Sequence, residues 1–278
     1  MLFVPSFLFL LSICAWFFKP EIVQYIFLAN LWLLSYPHTF ATYSRSYFSN
    51  PKNKIKAFFV IVLFLIFNIG VVYFYDFVLL INIYFYSQFF HYMRQNFGIS
   101  KLKSKMWNKY DSILFHLFYI FSLIFFWRIG HTFLGYKVFS PTLPSVLVTI
   151  CGISGAFVFM YFIFRYRSIS KYTFIYLSLT AVMTINLKTF ILGWLGLHLF
   201  HNSQYLVMSW QLNPKRSFLK FYSILVISVA VIYSGAIFFD QYFSAFVSLS
   251  FCLILSVNYS HYLFDSFLWK RRYRSLFP

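Results

Sequence analysis

Five of the seven histidines stand in apolar surroundings at spacings suited to holding an ion: His38 in PHTFATY, His91 in FFHYMRQNFG, His198 and His201 in LHLFHNSQY, and His261 in SHYLFDSFLWK. His198 and His201 are i and i+3, and His261 and Asp265 are i and i+4, so on a helix each pair shares a face. Imidazole with at most one carboxylate suits iron, zinc, copper or haem iron, whereas magnesium and calcium prefer cages rich in oxygen. Asp265, one of five acidic residues in the chain, is placed to ligate such an ion or to accept a histidine N–H behind it. Gln204 and Tyr205 continue the polar face below His201, with Asn202 and Ser203 widening it, and Arg94 and Gln95 follow His91. Arg94, Gln95, Gln204 and Tyr205 are therefore the residues expected to shape a substrate pocket, Arg94 as an anchor for a carboxylate or headgroup or as a side chain reaching the membrane boundary. His116 and His131 fall at other positions and stay outside this set.

The elements that must carry these residues are membrane helices. Of the 278 residues 61% are hydrophobic and only 10% charged, far more apolar than a soluble domain of this length. Apolar runs predict an all-α, polytopic integral membrane bundle of ten helices near 2–18, 22–43, 56–75, 77–97, 111–128, 145–164, 172–187, 189–210, 219–239 and 243–268, with short connections and one domain over 1–278. Pro37 is expected to kink the second helix. The first segment lacks a basic leader and a small-residue cleavage site, so it reads as a retained helix. Cys14, Cys151 and Cys252 sit singly in apolar runs and read as small buried hydrophobes.

The net charge of +18 does not indicate nucleic acid, because the basic residues cluster between apolar runs. Clusters follow helices two, four, six, eight and ten (Arg45 to Lys56, Arg94 to Lys109, Arg165 to Lys171, Lys215 to Lys220, Lys270 to Arg274), and the opposite turns carry few. By the positive-inside rule both termini are then cytoplasmic, and the expected location is a bacterial inner membrane. The five histidines fall in the later halves of helices that all run toward the cytoplasm, so they meet at a similar depth. Ionisable groups within a bilayer face the bundle interior and generally serve function.

An apolar chamber holding a histidine-bound, redox-active ion suits oxygen chemistry on a lipid-soluble substrate, so the expected cofactor is non-haem iron, with haem, zinc or copper as alternatives. Two other functions use the same histidines: axial ligation of haem in an electron carrier, and a proton relay in a transporter. The chain has no GxGxxG, P-loop or CxxCH motif, so a reductant would come from an external electron donor.

In the order of these motifs the chain resembles the Brp/Blh-type membrane β-carotene dioxygenases of bacteria and archaea. Tyr36-Pro37-His38 resembles that family's early Pro-His motif, His91 its second histidine, His198 and His201 its paired histidines, and His261 with Asp265 its last His-x-x-x-Asp. The resemblance implies a polytopic fold and an iron ion held by histidines from several helices. Thr42 stands where the first motif carries an acidic residue, Arg94 and Gln95 replace a small and an acidic residue, and the paired histidines are three apart instead of four. The expected substrate is accordingly a hydrophobic lipid-like or isoprenoid-like molecule in general.

Overall fold

A computed structural model describes Pro5, Phe7, Leu8, Leu10 and Leu11, then residues 22–46, 51–102, 104, 106–128, 132–133, 136–165, 171–185, 190–211, 217–243 and 249–271. These residues are almost wholly helical: α1 (Ile22–Asn30), a π-helical turn (Leu31–Ser35), α2 (Tyr36–Ser46), α3 (Pro51–Phe74), α4 (Phe77–Leu102), α5 (Lys109–Phe126), α6 (Ser145–Phe164), α7 (Lys171–Ile185), α8 (Phe190–Gln211), α9 (Phe218–Phe243) and α10 (Leu249–Arg271). A minimal antiparallel pairing of Thr132–Phe133 with Tyr136–Lys137 lies between α5 and α6. Most of the predicted first helix, 2–18, lies outside the described residues, as does Cys14.

Three helical stretches, Ile55–Phe74, Lys109–Phe126 and Ser145–Phe164, are long and apolar enough to cross a membrane. Along α3 the residues Ile55, Phe58, Phe59, Leu63, Ile66 and Phe67 are exposed, an outer surface that water would not favour and lipid does. Helices α2, α4, α8 and α10 carry the candidate site residues, and much of their buried surface is polar. Buried Asn258, Ser260, His261 and Asp265 on α10 are examples. In a bilayer this is the expected inversion, with polar side chains turned inward to meet one another.

The chain forms two compact units. The first takes residues 1–84 and 198–268, and the second takes 85–197 and 269–278.

In the first unit a π-helical turn stands just before Pro37, the residue at which the sequence predicts a kink. Proline has no N–H to give the carbonyl four residues back, that of Leu33. The Tyr222 hydroxyl from α9 donates to this carbonyl instead, and the Tyr36 N–H reaches back five residues to Leu31. Tyr222→Phe should therefore leave the Leu33 carbonyl without this donor and lower stability by about 1 kcal/mol. A thermal melt in detergent checks this, and an unchanged midpoint would mean that the carbonyl is satisfied otherwise.

Helix α2 is tied to α10 by polar contacts. Thr39 Oγ1 donates to Asn258 Oδ1 at 3.0 Å, and the Tyr43 hydroxyl donates to the Val257 carbonyl at 2.8 Å. Asn68 of α3 donates to the Cys252 carbonyl at 3.1 Å and to Ser256 Oγ at 2.9 Å. Around them Tyr43, Ala57, Val257 and Phe264 form an apolar cluster.

In the second unit α5 packs on α6, with Phe115 and Phe118 facing Phe162 and Phe159. Asn108 and Asp111 form a reciprocal cap at the start of α5. The same buried carboxylate accepts from the Tyr161 hydroxyl at 2.8 Å and lies 3.5 Å from the Arg165 guanidinium, clasping the start of α5 to the end of α6. Further along, a Cβ on Gly152 would lie 2.6 and 2.8 Å from two ring carbons of Phe125. That ring is itself covered by the Arg128 guanidinium at 4.0 Å. Small residues allow helices this approach. Gly152→Val is expected to destabilise the unit by about 1–3 kcal/mol through overpacking, read as earlier thermal unfolding. A neutral result would show that Phe125 can swing away.

Candidate metal centre

Three helices of the first unit bring His38 (α2), His201 (α8) and His261 (α10) together with Asp265, and all four side chains are at most 3% exposed. His38 follows Pro37 in the first turn of α2, directly after the π-helical turn. The Nε2 atoms of His38 and His261 are 2.9 Å apart. The His38 ring meets His201 edge to face, with centroids 4.8 Å apart, and meets His261 at 4.6 Å and 84°. Ligand atoms of His38 and His201 lie within 4.8 Å of each other. Asp265 Oδ2 is 3.7 Å from His261 Nε2, one turn along the same helix. Buried histidine and aspartate groups of this kind could hold a metal ion.

The other oxygen of the carboxylate is fixed by hydroxyls. Tyr205 donates to Asp265 Oδ1 at 2.8 Å, Thr42 is 3.1 Å from the same oxygen, and the two hydroxyls are 2.6 Å apart. Two hydroxyl protons cannot fill three contacts. The distances favour a relay in which Thr42 donates to Tyr205 and Tyr205 to the carboxylate, since those two contacts are the shorter ones. The Tyr205 ring also packs edge to face on His38, centroids 4.3 Å apart. One phenol thus positions both a carboxylate and an imidazole.

The separation of the two Nε2 atoms can be compared with what an ion requires. Two nitrogens each about 2.0–2.1 Å from one ion and about 90° apart lie about 2.9 Å from one another. The 2.9 Å between His38 and His261 is an ordinary hydrogen-bond length and also equals that chord.

His198 has a different set of neighbours from His201. Asn30 Nδ2 lies 3.0 Å from its Nδ1 and Ser35 Oγ lies 3.1 Å from its Nε2. The Asn30 amide is oriented by Asn202, which donates to Asn30 Oδ1. An amide nitrogen only donates, so Nδ1 accepts and the proton sits on Nε2, directed at Ser35. With one nitrogen accepting and the other donating, His198 ties α8 to both ends of the π-helical turn. Among the described residues, no metal-holding group includes it.

Gln204 is completely buried on α8 in the first unit. His91, Gln95 and Arg94 belong to the second unit. His91 and Gln95 are buried on one face of α4 together with Gln88, and both amide atoms of Gln95 lack a hydrogen-bond partner among the described residues. Arg94 is exposed, with its guanidinium 3.4 Å from His116. A helix turns by about 100° between successive residues, so Arg94 and Gln95 do not share a surface.

Thr42, Asn30 and Ser35 are site residues that the motif reading did not supply. Thr42 was visible only as a departure from an acidic pattern. Asn30 and Ser35 share a face because the π turn between them is wide, and a regular α-helix would separate them.

Comparison of the chain with protein-family models, with curated proteins and with solved structures finds no match in any of the three.

Proposed function

We propose that this chain is a membrane-embedded oxidoreductase with a histidine-bound metal, non-haem iron in the first instance, acting on a hydrophobic lipid-like or isoprenoid-like substrate. The observation that supports it most is the 2.9 Å between the Nε2 atoms of His38 and His261, with His201 against the first ring and Asp265 beside the second. Three imidazoles and one carboxylate form a donor set suited to iron, zinc or copper. An iron ion held this way would supply oxygen activation. The chain's own residues give position and surroundings. Tyr205 and Thr42 hold Asp265, Tyr205 packs on His38, and buried Gln204 offers a polar group for a substrate. The reading extends to ten membrane helices with both termini cytoplasmic, in a bacterial inner membrane, and to reduction by a separate electron donor. The likeness of the motif order to the Brp/Blh-type enzymes supports the same chemistry.

The test is elemental analysis with an optical spectrum on detergent-purified protein, fresh and after anaerobic loading with ferrous ion. About one tightly held iron per chain and no Soret band is the expected result. A Soret band would replace the reading with a haem protein.

A second reading draws on the same contact. Without an ion, the His38–His261 pair shares a proton, and with Asp265 and Tyr205 it makes a run of polar groups through three helices that suits a proton relay. It predicts protein that binds no metal after loading, together with proton flux in vesicles that is lost in His38→Ala.

A further inference from the structure

Arg94 and His116 form a second polar feature, on the surface of the second unit. His116 Nδ1 is 2.6 Å from the Ser112 carbonyl one turn back on α5. A carbonyl only accepts, so Nδ1 carries the proton and Nε2 is left as an acceptor, facing Arg94 Nη1 at 3.4 Å. The guanidinium also lies 5.7 Å from the centre of the Phe97 ring, which packs on His116 with centroids 4.5 Å apart. Imidazole and phenyl ring thus hold an exposed arginine on the surface by one nitrogen and a π-face. Among the described residues no carboxylate pairs with it. A guanidinium has five N–H donors in a fork that matches phosphate, and this arrangement uses one of them.

The neighbouring charges have a direction. Lys101 follows Arg94 by seven residues on α4, and Lys109 precedes His116 by seven on α5, so each lysine lies on the same helix face two turns, about 10 Å, nearer the helix end. Both lysines are exposed. Exposed Met106 and Tyr110 stand at the same end. Helix α4 has 26 residues, about 39 Å of length against a hydrocarbon core of about 30 Å. If the overhang is shared between its ends, the Arg94 backbone lies about 7 Å inside the core. An arginine side chain spans that depth and places its head at the boundary.

We propose that Arg94, positioned by His116 and Phe97, binds the phosphate of an anionic phospholipid in the leaflet where α4 ends and α5 begins. The fork takes the phosphate, Lys101 and Lys109 attract the rest of the headgroup, and the acyl chains run along the apolar outer face. His116 is a positioning residue: it accepts from the guanidinium and does not touch the lipid.

Native mass spectrometry of the detergent-solubilised full chain, titrated with phosphatidylglycerol or phosphatidylcholine, tests the proposal. The natural protein is expected to retain phosphatidylglycerol in preference. Arg94→Gln should weaken that binding at least tenfold, and Lys220→Gln, which removes an exposed charge in the first unit, less than twofold. His116→Ala should weaken it, and His116→Gln, whose amide oxygen can accept from Arg94, should restore it. Equal losses in Arg94→Gln and Lys220→Gln would mean nonspecific charge and overturn the proposal. So would displacement of the lipid by equimolar inorganic phosphate, which would make the site one for a soluble anion.

Discussion

His261→Ala is expected to abolish tight metal binding while leaving a folded membrane protein. His261 is wholly buried, and its Nε2 lies 2.9 Å from His38 and 3.7 Å from Asp265, so this imidazole stands beside both another imidazole and the carboxylate. Removing a hydrogen-bonding group behind a ligand typically costs 10–100-fold in metal affinity. Loss of a ligand itself should exceed that and take the bound iron below detection after gel filtration. Truncation also leaves a cavity, so His261→Gln is the companion variant, filling most of the volume with a poor ligand for the same ion. Both variants should elute as monodisperse protein with the helical circular dichroism of the parent. Full metal content in His261→Gln would remove His261 from the centre and with it the argument from the 2.9 Å chord.

Asp265→Asn is expected to weaken metal affinity about 10–100-fold with little effect on folding. The amide oxygen can still accept from Tyr205, 2.8 Å from the present Oδ1, and Thr42 still donates to Tyr205, so the tie between α10, α8 and α2 survives. The variant loses the negative charge next to His261, which would stabilise a bound cation. Tyr205→Phe separates the two roles. It keeps the charge and the ring against His38 and removes the donor at 2.8 Å, so its effect on affinity should be clearly smaller. Competition against a chelator of graded strength measures all three proteins. Unchanged affinity in Asp265→Asn would make the carboxylate a purely structural link between helices.

Periodicity carried much of the fold and part of the site. Apolar runs of membrane length announce helices with little ambiguity: the segments predicted over 56–75, 77–97 and 111–128 meet α3, α4 and α5 with shifted ends, and 145–164 meets α6 with the same ends. Helix α8, expected over 189–210, runs from Phe190 to Gln211 although its inward face is polar, and the helix expected over 22–43 is divided by the π-helical turn before Tyr36. The i, i+4 spacing of His261 and Asp265 translated directly into a contact on one helix. The i, i+3 spacing of His198 and His201 led to different neighbours, His201 against His38 and His198 beside Asn30. Residues three apart diverge by about 60° around a helix, and Asn30 and Ser35 lie beside His198. No local spacing could have revealed those partners, which depend on a π-helical turn 163 residues earlier in the chain. Tyr205 was legible as a polar neighbour of the histidines, but its bond to Asp265 spans 60 residues and appears only when α8 and α10 pack. His116 was set aside by depth, and the cross-helix contact that makes Arg94 its partner was likewise beyond reach of spacing.

X-ray absorption at the metal edge of the loaded, purified protein tests the central claim most directly, because it reads the ligands themselves. The account predicts a shell of nitrogen and oxygen at about 2.0–2.2 Å, with the outer scattering of several imidazoles and no sulfur. In His38→Ala that imidazole signal should fall or the metal should be absent. A shell dominated by sulfur or by water oxygen, unchanged in His38→Ala, would place the ion elsewhere and contradict a centre built from His38, His201, His261 and Asp265.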